Sequence, residues 1–138
     1  MIETRSATVA DAEGVLAFWK AAAEGTSITD DVAGVTRLIG RDPDALILAE
    51  SGGVLVGTLI AGWDGWRASL YRLAVLPSHR RQGISKTLLE AAEQRFRELG
   101  GRRGDAMVLV ENKQAQAAWA AAGYRQEDHW RRWVKPLG

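Results

Sequence analysis

The sequence predicts one α/β domain, residues 1–138, built on a mixed and mostly antiparallel sheet. Three observations point there. Strand-like and helical apolar periods follow one another in the order β-α-α-β-β-β-α-β-α-β. An Asp64-Gly65 turn sits between Trp63 and Trp66 and folds two central strands back on each other. A strand then enters a long amphipathic helix through a basic loop containing Gly83.

Taken in order, Ile2 to Thr8 reads as a first strand. Thr8 or Asp11 caps a helix running to about Glu24, with Val15, Leu16, Phe18 and Trp19 apolar. Thr29-Asp30-Asp31 caps a second helix that carries Val32, Val35, Leu38 and Ile39 and stops at Asp42-Pro43-Asp44. Ala45 to Glu50 is a strand, Ser51-Gly52-Gly53 a turn, and Val54 to Trp63 the next strand. Asp-Gly between strand formers predicts a type I′ hairpin, which needs positive φ at both centres. Ser69 to Leu76 follows as a strand ending at Pro77. In the next helix Ile84, Leu88, Leu89, Ala92, Phe96 and Leu99 share one face, and Gly100-Gly101 ends it. Ala106 to Val110 reads as a strand. An alanine-rich helix runs from Asn112 to Gly123, and Tyr124 to Val134 as one or two closing strands.

Composition narrows the function. The chain has no cysteine, hence no disulfide frame and no thiolate nucleophile, which fits a reducing cytoplasm. Only His79 and His129 offer imidazoles, which argues against a transition-metal site. Met1 to Arg5 does not read as a signal peptide, and no run is long and apolar enough to span a membrane. The net charge of +1 hides an asymmetry. Residues 1–66 hold ten acids against four bases, a net of −6, while the rest hold seven acids and fourteen bases, a net of +7. Either these charges only solvate helix faces, or the second half holds an anion and the first faces a cation.

The chemistry concentrates in Leu73-Ala74-Val75-Leu76-Pro77-Ser78-His79-Arg80-Arg81-Gln82-Gly83-Ile84-Ser85. The first amides of a helix have no internal partner, so this turn is an anion site. Arg80, Arg81 and Lys86 add positive charge, and Gly83 lets a phosphate approach the backbone. A P-loop is excluded, because Arg80 and Ser85 stand where its two glycines belong, and no G-x-G-x-x-G occurs.

Leu73 to Ser85 resembles motif A of the GNAT superfamily of N-acetyltransferases. There a strand ends in x-V-x-P and R/Q-x-x-G-x-G/A follows; Arg80, Gly83 and Ser85 take those positions. Asn112-x-x-Ala115-x-x-x-Trp119-x-x-x-Gly123-Tyr124 resembles motif B, and the element order matches nearly end to end. The stretch Gly62 to Arg67 before motif A looks closest to the bacterial YpeA-like subgroup. The resemblance implies a sheet splayed between the fourth and fifth strands, flanked by about four helices. It implies acetyl-CoA as acyl donor, no metal, and a small-molecule or peptide amine as acceptor, with a homodimer open. Leu73, Ala74 and Val75 would bind pantetheine. Arg80 and the stretch Arg81, Gln82, Gly83, Ile84, Ser85 and Lys86 would bind pyrophosphate. Asn112 would contact the coenzyme further on, and an amide near Val75 would stabilise the oxyanion.

Two roles are unassigned by this pattern. The amine must lose a proton, and the family's usual glutamate positions hold Ser69 and Met107. Asp64 and Glu111 are the remaining candidates; each also reads as an ordinary turn or helix-start charge. The motif B tyrosine that protonates the departing thiolate is Trp119, which can donate a hydrogen bond but not a proton. Trp119 either packs on pantetheine or sits in the core. If the missing acid limits turnover, Trp119→Tyr raises it. Trp63 and Trp66 read as a cross-strand pair or as an apolar wall. His129-Trp130-Arg131-Arg132-Trp133 mixes bases and aromatics as single-strand binders do, but as a closing strand it reads as edge protection, so no nucleic-acid partner is expected. The alternative to an enzyme is an acyl-CoA-binding regulatory module without turnover.

Overall fold

The computed structural model describes residues 1–23 and 27–138. Five strands form one sheet in the order β1-β2-β3-β4-β5: Ile2–Ser6, Leu46–Ser51, Val54–Trp63, Ala68–Val75 and Gly104–Ala106. Neighbours are antiparallel except β4 and β5, which are parallel. The crossover joining those two is α3 (Ile84–Glu98), preceded by α1 (Ala12–Ala22) and α2 (Val32–Arg41) and followed by α4 (Lys113–Ala121).

Period-2 alternation sorts the core onto two faces. From β2, Leu46 and Leu48 pack with Val15, Phe18 and Trp19 of α1 and Val35 and Ile39 of α2. Ile47 and Ala49 turn the other way, to the cluster holding Leu88, Leu89 and Phe96 of α3 and Trp119 of α4. The helix caps are local. The Asp11 carboxylate accepts the Thr8 amide at 2.7 Å, and Asp31 accepts the Gly34 amide at 2.6 Å. Gly100, at φ 89°, turns the chain so that the Gly101 amide returns to the Phe96 carbonyl at 2.7 Å.

Several expectations change. The first helix ends at Ala22; Glu24, its expected limit, lies outside the described residues. The β3–β4 hairpin forms, but not through a type I′ turn, since Asp64 does not have positive φ. Residues 64–67 make a wider connection. The Asp64 carboxylate accepts the Trp66 and Arg67 amides at 2.8 and 2.6 Å. Trp66 stands exposed under the Arg67 guanidinium, 4.5 Å from its ring centre, while Trp63 packs against the α3 core; they are not a cross-strand pair.

The fifth strand covers Gly104–Ala106 rather than Ala106 to Val110. Its pairing with β4 stops at Leu70 and Ala106, while β4 runs on to Val75, so the two strands part there as the resemblance implied. The closing strands over Tyr124 to Val134 do not form: residues 125–138 are exposed and carry neither strand nor helix. Trp130 and Trp133 carry strand propensity, but that propensity is realised only against a partner strand, and this segment has none among the described residues. Edge protection by that segment therefore falls away.

Candidate active site

The parting of β4 and β5 opens a cleft of about 680 Å³. One wall is the end of β4 that β5 leaves uncovered, Leu73, Ala74 and Val75. The rim is the loop into α3, where His79, Arg80, Arg81, Gly83, Ile84, Ser85 and Lys86 line it. The facing wall is α4, through Asn112, Gln114 and the alanines 115, 117, 118, 121 and 122. Ala22 of α1, which belongs to the core on the opposite face, also lines the cleft, so the cleft reaches through the sheet from one face toward the other.

The loop is shaped by local backbone chemistry. Pro77 starts a single 3₁₀ turn to His79, and Arg81 and Gly83 follow with φ of 66° and 79°. Gly83 is the N-cap of α3, and no side chain caps that helix. A left-handed residue followed by a right-handed one turns successive amides into a concave anion nest. A Cβ built on Gly83 would meet nothing within 4 Å, so no side chain crowds the loop where it enters α3. This uncapped 15-residue helix, the open glycine and the cleft beside it fit a coenzyme A pyrophosphate and pantetheine. Arg80 donates to the Gln114 side chain, joining the rim to α4. Asn112 caps α4 by accepting the Ala115 amide at 3.0 Å, so its side chain fixes the cleft wall as well as lining it.

Other expected residues lie elsewhere. Gln82 is exposed and does not line the cleft. Trp119 is buried in the core beside α3, with the Tyr124 ring edge-on at 4.9 Å, and does not line the cleft either. Asp64 sits on the hairpin tip, and the Arg67 and Trp66 amides hold its carboxyl below the usual range, which makes it a poor base. Glu111 is exposed in the turn before α4. Neither carboxylate lines the cleft.

Sequence reasoning missed Glu90 and Glu93, which line the cleft from α3. They fall on the polar face of an amphipathic helix, where nothing in the periodicity distinguishes them from solvated charge. The Tyr124 phenol donates to Glu93 at 2.8 Å; burial and that bond push its pKa up, so it stays protonated. The alanine run of α4 was visible in the sequence. Its use is tertiary: small side chains leave the cleft its width.

Residues 15–124 match the model of the acetyltransferase (GNAT) family. The chain belongs to that family. An acetyltransferase of Sodalis glossinidius is 28% identical over 118 residues, covering 86% of this chain and 83% of that protein. One of Pectobacterium atrosepticum is 31% identical over 102 residues, covering 74% and 72%. Among solved structures, the PaiA N-acetyltransferase of Thermoplasma acidophilum in complex with coenzyme A superposes with a TM-score of 0.83 at 20% identity, covering 93% and 92%. AAC(6′)-Iy in complex with a bisubstrate analogue gives 0.78 at 22% identity, covering 99% of each chain. The GNAT domain thus spans most of this chain, and its activity is transfer of an acetyl group from acetyl-CoA to an amine.

The burial of Trp119 reverses the expectation for its replacement. Trp119→Tyr removes part of a packed indole and puts a hydroxyl into the core, at a cost of about 1–3 kcal/mol. Turnover at saturating substrate is expected not to rise, because the new phenol is not in the cleft. Thermal denaturation and steady-state turnover of the variant check this; a faster enzyme would place position 119 at the sulfur.

Proposed function

We propose that this GNAT enzyme acetylates a cationic amine that enters from the α1/α2 side of the sheet, in the cytoplasm where acetyl-CoA is made. The observation that carries the binding mode is the cleft at the β4–β5 parting, which ends on the uncapped N-terminus of α3. Amides of Gly83, Ile84 and Ser85 would hold pyrophosphate, with Arg81 and Lys86 adding charge at the rim. The backbone of Leu73 to Val75 would hold pantetheine, and Asn112, which caps α4, would face it from the opposite wall. Acetyl-CoA supplies the acetyl group as an activated thioester. The chain's contribution is to orient that thioester and to polarise its carbonyl with a fixed backbone donor. Asp64 and Glu111 stand away from the cleft, and the two carboxylates that line it are engaged, Glu93 by the Tyr124 phenol and Glu90 by Lys86, so deprotonation of the amine is assigned to solvent. Thiol release from acetyl-CoA across an amine panel, with products identified by mass, tests the reading; coenzyme binding without turnover on any amine would instead favour a regulatory acyl-CoA module.

Acceptor charge should matter modestly. Among the described residues, four acids of the N-terminal half are already ion-paired: Asp11 and Glu50 with Arg5, Asp30 with Arg72, and Asp42 with Arg95. Steering by the remainder is expected at the low end of the usual range, about tenfold in kcat/KM for a dication over a neutral amine of the same size at low salt. It should shrink as the Debye length falls to about 8 Å at physiological ionic strength. Matched acceptors assayed at two salt concentrations check it, and equal specificity constants would show that the acids only solvate the surface.

A further inference from the structure

Thr58 stands alone among the described residues: it is the only buried polar side chain, at 0% exposure, in the middle of β3. Its Oγ1 accepts the Trp19 indole N–H at 2.9 Å. An indole nitrogen only donates, so the threonine proton is left for its second partner, the Arg72 carbonyl oxygen, also at 2.9 Å. The direction of this relay is therefore fixed: Trp19 to Thr58 to the Arg72 carbonyl.

Arg72 is where β4 changes register. Thr58 pairs with Ala74 and Ile60 with Tyr71, so Arg72 and Leu73 together face Leu59 alone. Arg72 has φ 55°, a region that side chains other than glycine rarely occupy. The surroundings over-determine it. Its guanidinium pairs with Asp30 and lies 5.4 Å from the Trp19 ring centre, while its carbonyl is held by Thr58. Such a bulge re-aims the peptide groups that follow.

The peptide joining Arg72 to Leu73 is planar and trans, so its C=O and N–H point in opposite directions. Binding the Arg72 oxygen to Thr58 turns the Leu73 N–H away from Thr58. Leu73 lines the cleft, beyond the point at Leu70 where β5 stops pairing. We infer that Thr58 is a positioning residue that, through the Arg72–Leu73 peptide plane, aims the Leu73 amide at the thioester carbonyl oxygen. This rests on the acetyl-transfer reading above. It assigns the aim of that amide to a buried hydroxyl outside the cleft.

Thr58→Val keeps the shape and removes the hydroxyl. It is expected to lower kcat about tenfold or more, with KM for acetyl-CoA and Kd for coenzyme A unchanged within about twofold. Thr58→Ser restores the hydroxyl and should recover most of the lost kcat. Two readouts do not depend on an acceptor. In the ligand-free protein the Leu73 amide resonance should shift in Thr58→Val. In the complex with carbonyl-labelled acetyl-CoA, the infrared carbonyl stretch should be lowered by the wild-type protein and return toward its free value in Thr58→Val. If Thr58→Val alone folds poorly because the Trp19 N–H is left unpartnered, the double variant Trp19→Phe/Thr58→Val removes that orphan and carries the same expectations. A folded hydroxyl-less variant with kcat within about twofold of wild type, or an equal loss in coenzyme affinity, overturns the inference. So does an unmoved carbonyl stretch, or failure of serine to recover kcat. If the wild-type protein acetylates no amine yet its carbonyl shift is lost in Thr58→Val, the positioning stands and the amine-transfer reading fails.

Discussion

Gly83→Val is expected to weaken coenzyme A binding by about 10- to 100-fold, the equivalent of losing one hydrogen bond to a charged group at about 1.5–3 kcal/mol. Two effects combine. The branched side chain would occupy the open space above the α3 amides, where a phosphate must come close. The left-handed φ of 79° also suits glycine and strains valine, adding about 1–2 kcal/mol of folding instability. Gly83→Asn separates them, since asparagine tolerates the left-handed region but still fills the space. It should keep most of the stability while losing the affinity. Arg80→Ala should cost much less, because Arg80 is one side chain at the rim and is tied to Gln114. Calorimetric titration of coenzyme A into the variants, with thermal melts alongside, is the measurement. Unchanged affinity in a folded Gly83→Asn would remove this loop as the phosphate site.

Gly57→Val is expected to destabilise the fold by about 1–3 kcal/mol and to loosen coenzyme binding as well. Gly57 lies on β3 under the start of α3. A Cβ there would stand 2.9 Å from the Ile84 Cγ2 and 3.0 Å from the Leu88 Cδ1, with the Ala74 carbonyl oxygen at 3.3 Å. Its backbone is not left-handed, so the requirement for glycine is one of close approach rather than conformation. Ile84 and Leu88 are fully buried and have nowhere to yield without moving the helix. Raising α3 shifts the amides of Ile84 and Ser85 relative to Leu73 to Val75, which changes the span the coenzyme must bridge. A lowered denaturation midpoint together with weaker coenzyme affinity is the expected pair of results. A well-folded variant with normal affinity would show that α3 is free to reseat.

Much of the cleft was legible in the sequence because its determinants are local. A helix N-terminus without a capping side chain, a glycine at its N-cap and a strand running straight into the loop are contained within Leu73 to Ser85. The α3 face and the Asn112 cap follow from short-range period and side-chain reach in the same way. Trp119 was not legible. Position 119 follows motif spacing, but whether an indole faces a cleft or a core depends on how α4 rolls against α3. The charge split was legible as a count, while the part of it left to act as a field is set by tertiary structure, because Arg72 and Arg95 of the basic half fold over onto Asp30 and Asp42 of the acidic half.

By itself the sequence determined the order of elements as far as the last helix, the basic strand–loop–helix turn and its glycine, since each depends on the conformational preferences of a few neighbouring residues. Tertiary structure decided the rest. Nothing local in β3 or β4 announces that Thr58 is buried at 0% exposure or that Arg72 takes a positive φ. Those facts arise when Trp19, 39 residues away in sequence, and Arg72, 14 away, meet the same hydroxyl. The failure of residues 125–138 to close the sheet has the same cause in reverse. Tryptophans among bases have some strand propensity, but a strand exists only when another strand accepts its hydrogen bonds.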